Sequence, residues 1–438
     1  MRFNRIMVIA FFMTLSVSIK AATPQEGFRF ITLEECISRA LEANYSVIIS
    51  QNSLEITRNN VTLSPFLPSV TVGSRLSDSR VEQRNYNSEG LVDDVSVKTT
   101  SVINSANLNW RLFDGMSMFA TRDKQLELLA MGEYNFKSVV ENLVMRLSSQ
   151  YYQIISIQNQ VDLLTELVAI SQIRYNQALT RYNIGSDSGL EYKQAKIYLN
   201  SDSSRLMLQK ENLKNGYLEL FRLMNIPFTS QLQIRDSIIP ERELQLDELL
   251  YKAMEDNTSL NSLRAGERVA LLDIQIAKSS RYPTLDLSAG YNYNFNRSQI
   301  MPSRFNDSDG FNWGLSLSIP VFSGNEITRR IRNAGITHQN AKLTLLKAQQ
   351  DLEAELRQIY NLYNNNLRLI AFEEESRESA SLNLEAAMEK YRLGSLSGIE
   401  FRDYQLSYLD ASDRKLRALY QTKISEITLH LMAGELFR

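Results

Sequence analysis

Residues 285–296 read Leu285-Asp286-Leu287-Ser288-Ala289-Gly290-Tyr291-Asn292-Tyr293-Asn294-Phe295-Asn296, an unbroken alternation of apolar and polar side chains. Successive residues of a strand point to opposite faces, so this stretch is a strand with one apolar face and one Asn/Ser/Gly face. A second segment alternates in the same way: Phe311, Trp313, Leu315, Leu317, Ile319 and Val321 against Asn312, Gly314, Ser316, Ser318 and Pro320. A third sets Ala106, Leu108, Trp110 and Leu112 against Ser105, Asn107, Asn109 and Arg111. The weakest sets Val70, Val72 and Leu76 against Thr71 and Arg75. Lengths of about 10–12 residues suit strands that cross a bilayer at a tilt. The two tryptophans of the chain, Trp110 and Trp313, lie near strand ends, where aromatic girdles meet the membrane surface. The polar face suits a water-filled lumen.

Hydrocarbon does not tolerate an open sheet edge, and single-chain barrels begin at about eight strands. Four strands therefore cannot close alone, whereas three protomers pool twelve. The connections within the two strand pairs, roughly Ser77–Thr100 and Arg297–Gly310, are rich in Asn, Ser, Asp and Arg and read as mobile outer loops.

The rest of the chain is helical. No proline falls between Pro68 and Pro227, and none follows Pro320. Proline in a helix interior costs about 3 kcal/mol, so two long stretches stay open to uninterrupted helix. Phe136, Val140, Leu143, Leu147, Tyr151, Ile154, Val161, Leu164 and Val168 form one seam of threes and fours, with one skip at Gln158. Ala341, Leu345, Ala348, Leu352, Leu356, Ile359, Tyr363, Leu367 and Ile370 form another. A helix from Met116 to about Asn183 reaches on the order of 100 Å.

The two seams belong to a tandem repeat. Arg39-Ala40-Leu41-Glu42-Ala43-Asn44 aligns with Lys252-Ala253-Met254-Glu255-Asp256-Asn257, and Phe113-Asp114-Gly115 with Phe322-Ser323-Gly324. Tyr182-Asn183-Ile184-Gly185-Ser186-Asp187-Ser188-Gly189-Leu190-Glu191 aligns with Tyr391-Arg392-Leu393-Gly394-Ser395-Leu396-Ser397-Gly398-Ile399-Glu400. Gly185 and Gly394 suit the left-handed residue that ends a helix. Ser188 and Ser397, each followed three residues later by Glu191 and Glu400, suit capping boxes that open the returning helices. The expected organisation is a signal peptide over 1–22, a first repeat over 23–225, a linker over 226–243 and a second repeat over 244–438. The first repeat holds a hairpin at about 66–113, a long helix at about 115–183 and a return helix at about 188–225. The second holds a hairpin at about 283–322, a long helix at about 325–392 and a return helix at about 397–433.

Arg2 and Arg5, the apolar run from Ile6 to Val17 and small Ala21 and Ala22 make the N-terminus an export signal. Composition removes whole classes of function. Lys+Arg 48 against Asp+Glu 50 leaves a net charge of −2, which excludes a phosphate-neutralising nucleic-acid binder. One cysteine, Cys36, excludes an intrachain disulfide, and two distant histidines, His338 and His430, make a His/Cys zinc site untenable. Cys36 reads as a small core residue. No nucleophile–base pair, phosphate loop or metal-ligand spacing is present, so neither enzyme nor cofactor is expected. Clusters such as Glu373-Glu374-Glu375 read as solvated helix face.

The duplicated layout, the F-[DS]-G strand exits and the paired Y-x-[IL]-G-S-x-S-G-[IL]-E turns resemble the TolC-type family of outer membrane efflux proteins over nearly all of the mature chain. The resemblance implies a homotrimer: a twelve-strand β-barrel in outer membrane lipid, continuous with an α-helical barrel across the periplasm. It implies partnership with a periplasmic adaptor and, through it, an inner-membrane transporter, as the exit duct of a tripartite pump or type I secretion system. The family's aperture residues map onto Glu400 and Asp403, with Tyr391 and Glu191 as partners in the closed state. An arginine of the family's latch is Leu396 here, leaving Arg392 as its candidate substitute. The turns that dock the adaptor map onto Gly185, Ser186, Gly394 and Ser395. The alternative function is a periplasm-spanning coiled-coil protein without a channel, which leaves the small polar face of the strands unexplained.

Overall fold

The computed structural model describes residues 29–88, 90–186, 189–241, 244–298 and 305–435. The expected signal peptide and Ser188 lie outside the described residues. Each half of the chain runs two short helices, a β-hairpin, a long helix and a return helix. The first half opens with β1 (Arg29–Phe30), α1 (Leu33–Ala43) and α2 (Tyr45–Asn59), followed by β2 (Ser69–Asn87) and β3 (Gly90–Phe113). The long helix α3 (Ser117–Asn183) and the return helix α4 (Leu190–Met224) complete it. The linker carries β4 (Leu232–Gln233), which pairs in parallel with β1. The second half has α5 (Leu246–Asp256), α6 (Thr258–Ser279), β5 (Thr284–Ser298), β6 (Phe305–Ser318), α7 (Glu326–Arg392) and α8 (Gly398–Met432).

The repeat is visible down to single hydrogen bonds. Asn44 and Asn257 each cap a helix with the side-chain oxygen, accepting from Ser46 and Leu260 N–H. Each also donates its amide to the end of the same half's return helix, at Leu223 O (2.9 Å) and Met432 O (3.0 Å). At the strand exits Gly115 and Gly324 take φ of +71° and +58°, and the next residues, Met116 and Asn325, are left-handed as well. A Cβ on Gly115 would sit 2.5 Å from Ser279 O, so only glycine fits there.

Three buried clusters order the helices. Leu143, Leu147, Tyr151 and Ile154 of α3 pack on Cys36, Ala40, Leu220 and Met224. Leu356 and Tyr363 of α7 pack on Leu249, Ala253 and Leu429. The third cluster ties α3 to α7 and α8 far from the sheet, through Leu163, Leu167, Ile170, Leu384, Ala387, Tyr391, Phe401 and Tyr408. Cys36 is fully buried, and desolvation pushes its thiol up to about 12. No helix among the described residues is long and apolar enough to cross a membrane.

The four long strands form one antiparallel sheet in the order β2-β3-β5-β6. Register places Val70, Leu108, Ala289 and Trp313 on one face, with Thr71, Asn107, Gly290 and Asn312 on the other. The strands exceed the 10–12 residues expected, and most of Ser77–Thr100 is not a loop. β2 and β3 continue as a paired ribbon to Asn87↔Gly90. The loop reading rested on polar composition, but polar side chains do not weaken a backbone ladder. Here they make cross-strand pairs instead: Thr100 Oγ1 donates to Asp78 (2.7 Å), Lys98 pairs with the same carboxylate, and Arg80 donates to Ser96 (3.0 Å). The second connection is likewise shorter than expected, since β5 runs to Ser298 and β6 starts at Phe305.

Candidate functional site

The far ends of the helices form the candidate site. Both long helices stop in the same way. Gly185 N–H bonds to Tyr182 O and Ser186 N–H to Arg181 O, while Gly394 N–H bonds to Tyr391 O and Ser395 N–H to Lys390 O. This is a Schellman ending, and it needs the left-handed glycines, at φ +78° and +76°. The serine hydroxyls add a bond each, to Arg181 O and Lys390 O at 3.0 Å. Around Gly185 no described atom comes within 4 Å of an added Cβ, so the turn presents bare backbone outward.

The two turns start their return helices differently. Ser397 opens α8 with a full capping box: its hydroxyl accepts from Glu400 N–H, and the Glu400 carboxylate accepts from Ser397 N–H at 3.0 Å. That hydroxyl and N–H hold the Glu400 carboxyl below the ordinary glutamate range. In the first half the helix starts instead from Gly189, at φ +83°, without a side-chain cap. Glu191 turns across the tip and accepts from the Tyr391 hydroxyl at 2.9 Å. Glu191 therefore ties the two halves together at the tip. The ring of Tyr391 is buried and stacked on Phe401, with centroids 5.1 Å apart. Burial and then the Glu191 carboxylate push its phenol up to about 12.

Glu400 and Asp403 are both exposed and one helical turn apart. Arg392, the candidate substitute for the arginine missing at Leu396, is exposed and pairs with Glu389 on its own helix at 2.9 Å. Among the described residues, two arginines of the first half reach Tyr391: Arg174, 5.9 Å from the ring centroid, and Arg181. The Arg181 guanidinium lies 5.0 Å over the Tyr391 ring and donates to Tyr391 O at 2.6 Å.

Sequence reasoning missed the strongest polar contact of the tips. Arg402 of α8 grips Asp202 of α4 with two bonds of 2.7 Å, and Ser171 of α3 donates to the same carboxylate at 2.6 Å. Asp202 is wholly buried and Arg402 nearly so. Arg402 and the buried Arg174 of α3 each lie 5.0 Å over Tyr198. The signal was legible: Ala195, Asp202 and Gly216 keep seven-residue phase on the buried side of α4, as Leu167 and Arg174 do on α3. A charge at a seam position must meet its counter-charge inside.

At the other end of the molecule, Trp110 Nε1 donates to Phe66 O at 2.9 Å, close to where β3 leaves the sheet. Trp313 is exposed on the same sheet face. Glu241, Glu426 and His430 bring three donor atoms within 4.8 Å, but Glu426 already accepts from Glu241 N–H and Lys423. That cluster closes the linker onto α8.

An apolar-faced sheet mounted on two 67-residue helices defines a protein held in a membrane by its strands, with its helices reaching well clear of it. The chain belongs to the outer membrane efflux protein family, which matches residues 36–225 and 249–435. It is similar to the outer membrane protein TolC of Vibrio cholerae, at 24% identity over 73% of this chain and 74% of that protein. It is also similar to the proteases secretion protein PrtF of Dickeya chrysanthemi, at 21% identity over 84% and 80%. Among solved structures, the Campylobacter jejuni CmeC outer membrane channel superposes with a TM-score of 0.77, at 16% identity, over 93% of this chain and 86% of that one. The protein is an outer membrane exit duct of efflux and secretion systems, extending into the periplasm. Its family is one of channels rather than enzymes.

Proposed function

We propose that three copies assemble into one passive duct, a twelve-strand barrel running into a helical tunnel. The carrying observation is the sheet itself. It has an apolar face of membrane height and two open edges, β2 and β6, which hydrocarbon does not tolerate. From Leu285 to Phe295, at about 3.4 Å per residue and a tilt near 40°, the apolar band rises on the order of 25 Å. Joining β6 of one copy to β2 of the next removes every edge, with Trp110 and Trp313 in the girdle at one membrane surface. Exposed Leu343, Leu346, Leu362, Leu369 and Phe372 on α7, and Ile197, Met207 and Leu208 on α4, supply apolar surface for the same assembly.

In this reading the helical tips form the periplasmic entrance. Glu400 and Asp403 from three copies place six carboxylates around the axis and favour cations. The Tyr391–Glu191 bond holds the two tips of each copy together in the closed form. The bare turns at Gly185, Ser186, Gly394 and Ser395 are the docking points for a periplasmic adaptor, which connects the duct to an inner-membrane transporter.

The test is conductance in planar bilayers. Wild-type protein is expected to show small cation-selective currents. The variant Glu400→Gln/Asp403→Asn is expected to lose that selectivity while keeping the capping box, which glutamine also closes. Selectivity unchanged in the variant removes these carboxylates from the entrance. A protein that elutes as a monomer and gives no currents removes the trimeric duct.

A further inference from the structure

Above the membrane band the hairpin β2–β3 outgrows the rest of the sheet. β5 leaves β3 at Thr99↔Ser298, but β2 and β3 stay paired to Asn87↔Gly90. From Asp78 to Asn87 the ribbon stands about 30 Å beyond the last apolar residues of the band. Along this ribbon the alternation changes sign. Within the band the face of Val70, Val72 and Leu76 is apolar, and the opposite face carries Ser69, Thr71, Gly73, Arg75 and Ser77. Beyond it the first face becomes charged, with Asp78, Arg80, Glu82 and Lys98, while Val81 and Val97 stand directly opposite each other on the second. Val81 is exposed.

Resting on the trimeric duct reading, we infer that the three ribbons converge over the outer mouth and set Val81 and Val97 in an apolar collar around the exit. The face that lines the lumen lower down is the face that carries these valines, so closure of the barrel turns them toward the axis. The charged face turns outward to water, where its ion pairs stay solvated. A two-stranded ribbon is marginal alone, and its apolar patch needs a partner. β2 is the edge that the next copy must cover within the membrane, and the ribbon continues it without a break. The equivalent ribbons of the other two copies are therefore held at the same height around the same axis. Six valines there make a constriction that resists wetting, which opposes inward leakage of ions and polar solutes while driven cargo passes outward.

Single cysteines on the two faces test this. Cys36 does not interfere, being fully buried and its thiol pushed up to about 12. Oxidation of Val81→Cys is expected to link protomers into covalent pairs, whereas Arg80→Cys stays unlinked. The variant Val81→Ser/Val97→Ser is expected to raise single-channel conductance at least twofold. Oligomer mass by light scattering is read in parallel. A trimer in which Val81→Cys links no better than Arg80→Cys, with unchanged conductance in the serine variant, overturns the collar and leaves the duct standing. A monomer overturns the duct reading and the collar with it.

Discussion

Tyr391 and Asp202 both tie the two halves at the tip, but at different strengths. The Tyr391 hydroxyl gives Glu191 one hydrogen bond, so Tyr391→Phe is expected to cost about 1 kcal/mol. Loosened tips should show as a larger entrance conductance. The Asp202–Arg402 pair is bidentate and buried, and removing only the acid leaves a buried unpaired cation. Asp202→Ala is expected to cost about 3–5 kcal/mol, while Asp202→Leu/Arg402→Leu recovers most of it. Amide exchange along α4 and α8 reads both effects. The pH dependence separates the groups again. With its phenol raised to about 12, the contribution of Tyr391 is complete below pH 10 and is lost only as pH rises through about 12. The tip tie therefore does not respond to Tyr391 near neutrality. Glu400 is held below its ordinary 4.5, so its capping contribution is present above that value and is lost as pH falls through the lowered one. In an Asp403→Asn background, cation selectivity should persist until pH is well below 4.5. Of these residues, Glu191 and Glu400 stand out because both turns repeat a motif, and the family resemblance is what singled out Tyr391 and its pairing with Glu191. Asp202, Arg402 and Arg174 have no counterpart in that motif, and only their phase on the seam marks them.

At the scale of elements, periodicity carried most of the fold. Two residues per repeat in the strands and seven in the seams show directly in the apolar positions, and Gly115, Gly324, Gly185 and Gly394 mark the turns by their left-handed backbone. What periodicity did not show was where the strands end. The ribbon is built from cross-strand pairs such as Asp78 with Thr100 and Lys98, which a composition-based reading takes for loop. At the start of α4, Gly189 is the cap residue with a left-handed backbone, and Glu191 crosses the tip to Tyr391. The start of α8 is the opposite case, and Ser397→Ala is expected to cost about 1 kcal/mol. Fraying confined to the first turn of α8, seen by amide exchange, checks it. Gly398 sits just inside that start, and a Cβ there would lie 2.6 Å from Arg174 Nη2 and 2.8 Å from Glu191 Oε1. Gly398→Ala should therefore displace Glu191 and imitate Tyr391→Phe in conductance.

For the whole molecule, equal dimensions matter more than any single contact. α3 and α7 are each 67 residues long, and α4 and α8 each 35. Tip contacts between the halves, at Tyr391–Glu191 and Arg402–Asp202, require both arms to end at one level. A heptad inserted between linker and tip into α3 and α4 alone keeps the seam phase but shifts that tip by about 10 Å, breaking both contacts. The same insertion into all four helices keeps them. Conductance should rise for the first variant and stay at the wild-type level for the second. The length of these arms thus works as a caliper. It sets how far below the outer membrane the mouth hangs, and with it the gap that any partner anchored in the opposite membrane has to bridge.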